Sequence, residues 1–233
     1  MSEHPRTGRL RHRIAAVMLG SIALVHGCAP KSPNPPAVDD GVAIELPDLK
    51  VAVAELRAFD GYLDALDPNA GRKLRTRALL ERHILPLALA RAAFPAVRTE
   101  AFERARSLCA VVGNSLELER HGEVLRGERL VEQQRTSLPL AVAAWADDET
   151  KIGAVSPPIE TPDSIWVCGL IDLHRGLTMS TDRIDLYCVR FPAVAAEDFQ
   201  VWYAAERERR RHTLIRASND VLPCLPDWLT STK

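Results

Sequence analysis

Asp172 and His174 are two side chains whose types and spacing could do chemistry together. They lie at the end of Ile165–Leu173, a segment rich in β-branched and aromatic residues that predicts a β-strand. Residues two apart on a strand share a face, so the pair could act as an acid–base dyad or bind a metal ion. The alternative, which we favour, is a polar strand end that enters a turn. We therefore assign no catalytic residue and no metal ligand here.

The sequence contains no motif that indicates a particular reaction. None of its histidines follows the HExxH spacing of zinc proteases, and neither a GxSxG elbow nor a glycine-rich phosphate loop is present. Ser156 lies in a proline-rich segment without an identifiable base. These observations favour a protein that is not an enzyme and needs no cofactor, although a site assembled from distant residues stays possible.

Four cysteines other than Cys28 predict disulfide bonds, provided that the chain resides in an oxidising compartment. They are Cys109, Cys168, Cys188 and Cys224. Four thiols allow three pairings, and the alternative is that some of them stay buried as small apolar side chains. The sequence contains no CxxC pair, so it predicts neither a redox-active site nor a zinc ribbon.

One of these pairings follows from a predicted β-hairpin. The segments Ile165–Leu173 and Arg183–Phe191 both read as strands. A hairpin centred on Thr178 sets Cys168 opposite Cys188, whereas one centred a residue later does not. A disulfide there would close a loop of about 20 residues and stabilise the fold by about 3 kcal/mol. Pairing with either of the other two cysteines stays open.

Residues 1–27 have the layout of a secretory signal peptide. Four arginines precede an apolar run, Ile14–Val25. This run is shorter than the ~20 residues that a membrane-spanning helix needs, and its length is typical of a signal sequence. We therefore predict export of the chain from the cytoplasm.

The leader ends in Val25-His26-Gly27-Cys28. This stretch resembles the lipobox of bacterial lipoproteins, apart from His26, which replaces a small residue. The resemblance implies that Cys28 carries acyl chains such as palmitate and anchors the protein to a membrane of the bacterial cell envelope. Ala29 implies the periplasmic side of the outer membrane rather than the inner membrane. The alternative is an ordinary signal peptide that happens to contain a cysteine.

Charge and composition narrow the class of protein. Cleavage before Cys28 removes four of the 30 basic and one of the 31 acidic residues, which leaves a formal charge of −4. This charge argues against a nucleic-acid partner, which calls for a basic face. Aromatic residues make up only 5% of the chain, and alanine, leucine and arginine are abundant, which favours helices.

The pattern along the chain predicts a mainly α fold with a small β segment (α+β). Its parts are a proline-rich tether at 28–47, a helical lobe at 48–146, a small β segment at 147–191 and a returning helix with its tail at 192–233. Helices are predicted at Val51–Leu66, at Lys73–Phe94 with a kink at Pro86, at Ala96–His121 and at Leu138–Ala146.

Two stretches resemble the periplasmic parvulin-type (SurA-like) chaperones and foldase lipoproteins. Leu74–Ala93 is similar to a helix of their N-terminal lobe, and Ile152–Asp172 is similar to the end of a parvulin domain. The rest of a parvulin domain has no counterpart between Glu119 and Lys151. The resemblance therefore implies a degenerate or missing isomerase domain and a helical lobe that binds unfolded or extended client chains.

We accordingly predict a membrane-anchored envelope lipoprotein with a chaperone-like, non-catalytic role in binding proteins or peptides. Its apolar groove is expected between the N-terminal helices and the returning helix, at Phe59, Phe102, Phe199 and Trp202. One alternative is a peptidyl-prolyl isomerase or another envelope enzyme. A further alternative is a structural subunit of an envelope complex.

Overall fold

A computed structural model describes residues 41–211, 213 and 215–229. The predicted leader, most of the tether and the lipidation site Cys28 lie outside these residues. About 46% of the structure is helical and 22% is strand, with two antiparallel sheets of three and four strands. The prediction of a mainly α fold is therefore wrong, and the chain has an α+β fold.

The described residues form seven strands and eight α-helices. The strands are β1 Val42–Leu46, β2 Leu49–Ala52, β3 Glu128–Gln134, β4 Ile159–Glu160, β5 Ser164–His174, β6 Arg183–Pro192 and β7 Arg216–Ala217. The helices are α1 Val53–Arg57, α2 Asp60–Leu66, α3 Arg72–Leu79, α4 Leu85–Ala93, α5 Pro95–Cys109, α6 Ser115–Gly122, α7 Leu140–Trp145 and α8 Phe199–Arg209.

The four-stranded sheet has the order β3-β6-β5-β4 and is built on the long β5–β6 hairpin. Cys168 pairs with Cys188 and Leu170 with Leu186, which is the register centred on Thr178, one of the two that the sequence left open. A bulge after Leu170 shifts the pairing by one residue toward the turn. Both strands are buried over most of their length because helices cover both faces of the sheet.

The edge strand β3 is irregular. Its pairing with β6 shifts between Leu130 and Gln133, and Glu132 adopts a positive φ of 49°. The Glu132 N–H donates to the carboxylate of Asp185 at 2.6 Å instead of joining the ladder. The strand therefore bends at a bulge before it reaches Arg135.

The three-stranded sheet, of order β2-β1-β7, accounts for much of the error in the predicted fold class. β1 lies in the segment assigned to the tether, and β2 lies at the start of the helical lobe and overlaps the first two residues of its predicted first helix. Alternating Ile44 and Leu46 side chains are buried in the core, which is a strand pattern. β7 comes from the segment assigned to the returning helix, because α8 already ends at Arg209.

A kink was predicted at Pro86, and the structure has an irregular helical turn immediately before this residue. A π-helical turn, Leu80–Ile84, separates α3 from α4, and Pro86 occupies the first turn of α4. Proline has no N–H to donate, and a π-turn is one way in which a helix accommodates a broken hydrogen-bond ladder. The turn buries His83 and leaves Arg82 exposed.

The predicted helix Ala96–His121 is in fact two helices. α5 ends at Cys109, and α6 begins after Asn114. The Asn114 side chain accepts a hydrogen bond from the Glu117 N–H at 2.9 Å, while the Glu117 carboxylate accepts one from the Gly113 N–H at 2.7 Å. This reciprocal cap starts a new helix and turns the chain back onto the sheet.

Three apolar cores hold these layers together. α5 and α6 pack on one face of the four-stranded sheet, and α7 packs on its other face. The third core lies between the three-stranded sheet and helices α1, α3, α4 and α8. No helix within residues 41–211, 213 and 215–229 is long and apolar enough to cross a membrane.

Candidate functional site

A cavity of about 890 Å³ lies where the third core meets the α7 face of the sheet. α2, α3 and the loop between them form one wall, and the turns around Arg135 and Met179 form the other. Its apolar lining includes Leu63, Leu66, Leu74, Ala78, Leu79, Leu138, Pro139, Leu140 and Met179. This size and largely apolar lining are typical of sites for small ligands.

Arg135 is the buried cation of this cavity. Its side chain has no exposed surface, and its Nη2 contacts the Asp182 carboxylate at 2.9 Å and the Asp147 carboxylate at 2.8 Å. Its Nη1 has no hydrogen-bond partner within the described part of the chain. A buried guanidinium N–H without an acceptor costs free energy, so this atom needs an explanation.

Tyr62, from α2, also lines the cavity. Its hydroxyl is buried beside the Arg135 guanidinium. Burial raises the pKa of Tyr62, while the charge of Arg135 and a hydrogen bond with its side chain act in the opposite direction. The hydroxyl is therefore neutral at ordinary pH. The polar ends of Tyr62 and Arg135 thus lie next to each other, out of contact with solvent.

A network of ion pairs fixes the position of Arg135. Asp182 accepts hydrogen bonds from Arg135, from the Gly176 N–H at 2.8 Å and from Arg175 at 2.9 Å. Burial opposes ionisation of Asp182, but these hydrogen bonds hold its pKa below the ordinary value. These bonds join the turn between β5 and β6 to the turn that follows β3. They hold both turns beside the cavity.

Two further arginines line the cavity from α3 and from the π-turn that follows it. Arg75 donates to the Ala70 carbonyl at 2.7 Å and pairs with Asp64, so it fastens the loop between α2 and α3. Arg82 is exposed, and no hydrogen bond or ion pair engages it within the described residues. Asp67 is the one acidic residue of the lining. The cavity lining therefore carries more positive than negative charge.

The lining also determines what chemistry the cavity can support. Its hydroxyls belong to Tyr62, Thr136, Thr178 and Ser180, and it includes no histidine, cysteine or glutamate. Thr178 and Ser180 bond to each other at 3.0 Å rather than to a base. The arrangement suits the binding of a ligand with an apolar body and a polar end.

The four aromatic residues expected at a groove are placed differently. Phe59, Phe199 and Trp202 belong to the core around the three-stranded sheet, with the rings of Phe199 and Trp202 5.5 Å apart. Phe102 packs against the core between α5, α6 and the four-stranded sheet. None of the four lines the cavity. The structure therefore brings Phe199 and Trp202 together on α8, whereas the ring of Phe59 packs against His83.

The cysteines that were candidates for disulfide bonds are all free thiols. The Sγ atoms of Cys168 and Cys188 lie 3.2 Å apart in the buried sheet. The Cys168 thiol has a pKa well above its ordinary value because it is buried and lies beside Cys188. Cys109 donates to the Ser156 carbonyl at 3.4 Å, and Cys224 lies in the third core.

Asp172 and His174 lie near each other on the surface. His174 Nε2 is 3.9 Å from the Asp172 carboxylate and 3.6 Å from the Asp185 carboxylate. His174 and Asp172 are about half exposed, and they lie outside the cavity lining. No cluster of three potential metal ligands occurs within the residues that the structure describes.

Sequence reasoning missed Arg135 and Tyr62, two residues of the lining whose terminal polar atoms are buried. Arg135 stands in a polar stretch that carries no recognisable signal, and Tyr62 lies within an ordinary amphipathic helix. Searches with this chain found no matching family model, no similar curated protein and no similar solved structure. The geometry of the cavity is therefore the basis for a functional proposal.

Proposed function

We propose that the chain is a lipid-anchored envelope protein that binds an extended segment of another polypeptide without catalysing a reaction on it. The cavity between α2, α3 and the turns around Arg135 and Met179 is the binding site. The observation that carries this proposal is an apolar lining that is interrupted by polar side chains such as Asn69 and Thr136, with Leu74 65% exposed on its wall. Such a combination suits a ligand that supplies both apolar surface and hydrogen-bonding groups.

An extended peptide meets both requirements. Its side chains provide apolar surface for the wall formed by Leu66, Leu74 and Ala78, and its backbone carbonyls provide acceptors. Leu74 is 65% exposed although it lies on the wall of the cavity. Covering this leucine with a peptide removes apolar area from water, at about 25 cal/mol per Å².

The proposed location rests on the sequence. Export through the leader and acylation of Cys28 would hold the body at the periplasmic face of the outer membrane. The resemblance of Leu74–Ala93 and Ile152–Asp172 to parvulin-type chaperones supports unfolded or extended envelope proteins as the clients of the cavity. A Cys28→Ser variant that stays as firmly bound to membranes as the natural chain would contradict the anchoring.

Binding is tested with the purified full chain and a fluorescent, unfolded peptide of mixed apolar sequence. Leu74→Gln should weaken binding roughly tenfold, because it removes about 1–2 kcal/mol of apolar contact. Leu116→Gln is the matched control, since Leu116 is 56% exposed on α6 and lies outside the cavity. Equal weakening by both substitutions, or no binding at high micromolar concentration, would refute the proposal.

A further inference from the structure

Met179 is the methionine of the cavity lining, and it lies in the turn between β5 and β6. The sequence has three methionines, and the other two, Met1 and Met18, belong to the predicted leader. The side chain of Met179 is half-buried, so small solutes can reach it. A thioether is apolar, flexible and polarisable, and it suits a wall that packs against varied apolar side chains. The proposed binding site therefore contains an accessible sulfur atom.

Hydrogen bonds fix the turn Met179–Thr181. The Thr178 N–H donates to the Thr181 hydroxyl at 3.1 Å, and the Gly176 N–H donates to the Asp182 carboxylate at 2.8 Å. The turn contacts α2 on one side and the turn that follows β3 on the other. Because the backbone is held in this way, a chemical change at Met179 stays within the wall of the cavity.

The other sulfur atoms of the described residues are less open to oxidants. Cys168 and Cys188 are buried in the four-stranded sheet, and Cys224 is buried in the third core. Burial raises the pKa of the Cys109 and Cys168 thiols, which lowers the fraction of the reactive thiolate. Oxidation of a thioether needs no prior loss of a proton. A peroxide therefore meets its most accessible target at Met179.

We infer that Met179 is a site of reversible oxidation to methionine sulfoxide, through which a peroxide weakens the binding of client polypeptides to the cavity. The thioether sulfur attacks one peroxide oxygen, so that an S–O bond forms while the O–O bond breaks. The leaving hydroxide takes the proton of the transferred oxygen and becomes water. The sulfur atom is oxidised by two electrons and the peroxide is reduced. This inference rests on the proposed binding function and adds its regulation.

The loss of affinity follows from the polarity of the product. A sulfoxide is a polar group, whereas the facing wall of the cavity is apolar at Leu66, Leu74 and Ala78. A bound apolar segment would bury the S–O dipole away from water, which costs free energy. Water solvates the same group in a cavity without a client. Oxidation therefore favours the client-free state.

The test uses the full chain and the fluorescent apolar peptide, made without methionine or cysteine. After treatment with hydrogen peroxide and its removal by catalase, mass spectrometry of proteolytic fragments should show one added oxygen atom on Met179. The oxidised chain should bind the peptide roughly tenfold more weakly. Methionine sulfoxide reductases for both sulfoxide epimers, supplied with dithiothreitol, should restore binding, whereas dithiothreitol alone should not.

Two variants assign the effect to this side chain. Met179→Leu removes the sulfur atom and keeps an apolar side chain, so its own affinity should be the same before and after peroxide. Met179→Gln introduces a polar side chain and should weaken binding without any oxidant.

Several results would overturn the inference and leave the proposed function standing. They are the absence of added oxygen on Met179, full binding by a chain that carries the sulfoxide, and an equal loss of binding by Met179→Leu after peroxide. Recovery with dithiothreitol alone would also overturn it, because the loss would then come from oxidised cysteines. Failure of the untreated chain to bind would instead refute the proposed function, and this inference with it.

Discussion

The phenol ring of Tyr187 lies directly against the Cα atom of Gly122. A Cβ atom on Gly122 would come within 2.3 Å of the Tyr187 ring, and one on Gly127 would come within 2.4 Å of its hydroxyl oxygen. The Gly127 N–H donates to the Gly122 carbonyl at 2.7 Å. These contacts fix the turn between α6 and β3 on top of a buried side chain of β6.

We expect Gly122→Ala to lower the free energy of unfolding by about 1–3 kcal/mol, because the buried ring has to move to admit a methyl group. Urea titration followed by circular dichroism measures the change. Gly61→Ala is the control, since Gly61 lies in α2 and a Cβ there meets no atom within 4 Å. That variant should gain stability by up to about 1 kcal/mol. Equal midpoints for the natural chain and Gly122→Ala would contradict the close packing.

Cys168 and Cys188 should form a disulfide when the folded chain is treated with oxidised glutathione. Cys168 directs its N–H and C=O to Ser156, away from β6, so it forms a non-hydrogen-bonded pair with Cys188, in which side chains approach closely. Oxidation should raise the free energy of unfolding by about 3 kcal/mol for a loop of this length. Thermal unfolding with and without reductant measures the gain.

Cys188→Ala separates this disulfide from others, because it removes one partner and leaves Cys109 and Cys224 in place. Mass spectrometry of proteolytic fragments should show a 168–188 link in the natural chain only. A link between Cys168 and Cys109 would indicate that the sheet opens before the thiols react.

His83 should make the fold less stable in mild acid. Burial and the charge of Arg91 lower the pKa of His83 from 6.5 to about 4, with Glu160 and Glu55 acting in the opposite direction. The unfolded chain therefore binds a proton between pH 6.5 and 4 that the folded chain does not, and stability falls as pH decreases through this interval. The loss amounts to about 3 kcal/mol at the acid end.

Urea titrations at a series of pH values measure this dependence. His83→Leu places an apolar side chain beside Phe59. It should flatten the dependence of the free energy of unfolding on pH between pH 6.5 and 4. His121→Gln, which replaces an exposed histidine, is the control. A curve of unchanged slope in His83→Leu would assign the acid sensitivity to other groups.

Arg98 should be an important ion-pair residue for stability. It is nearly buried on α5 and donates to the Glu160 carboxylate at 2.9 Å and to the carbonyls of Thr161 and Pro162 at 2.8 and 2.9 Å. The guanidinium groups of Arg91 and Arg98 hold the pKa of Glu160 below its ordinary value, against the effect of burial.

Arg98→Met keeps an unbranched side chain but removes the donor to the carbonyls of Thr161 and Pro162 and leaves Glu160 paired with Arg91 alone. We expect a loss of about 3 kcal/mol. Arg106→Met, also on α5, removes an exposed pair with Glu103 and should cost less than about 1 kcal/mol. Similar losses for the two variants in chemical denaturation would rule out the special role of Arg98.

The elements that sequence reasoning identified are those with strong local signals. The β5–β6 hairpin follows from its β-branched residues, whereas its register stayed open between centres at Thr178 and Met179 until the structure aligned Cys168 with Cys188. The interruption before α4 follows from Pro86, whose missing N–H acts within one turn. The break between α5 and α6 also has a local signal, the Asn114–Glu117 cap, which the apolar stripe obscured.

Other parts of the fold depend on contacts between distant residues. The three-stranded sheet joins β1 and β2 to a strand of two residues, Arg216–Ala217, which has no periodicity of its own. Likewise, the cavity combines Tyr62 with Arg135 and Met179, which belong to three separate segments. No local pattern determines that these segments meet, so the sequence alone did not reveal the site.

The bulge in β3 has a consequence for the behaviour of the chain in a crowded compartment. A regular edge strand exposes a row of N–H and C=O groups on which a second chain can pair. In β3 the positive φ of Glu132 and the neighbouring charges of Glu128 and Arg129 interrupt that row. The four-stranded sheet therefore offers a poor template along β3 for growth into fibrils.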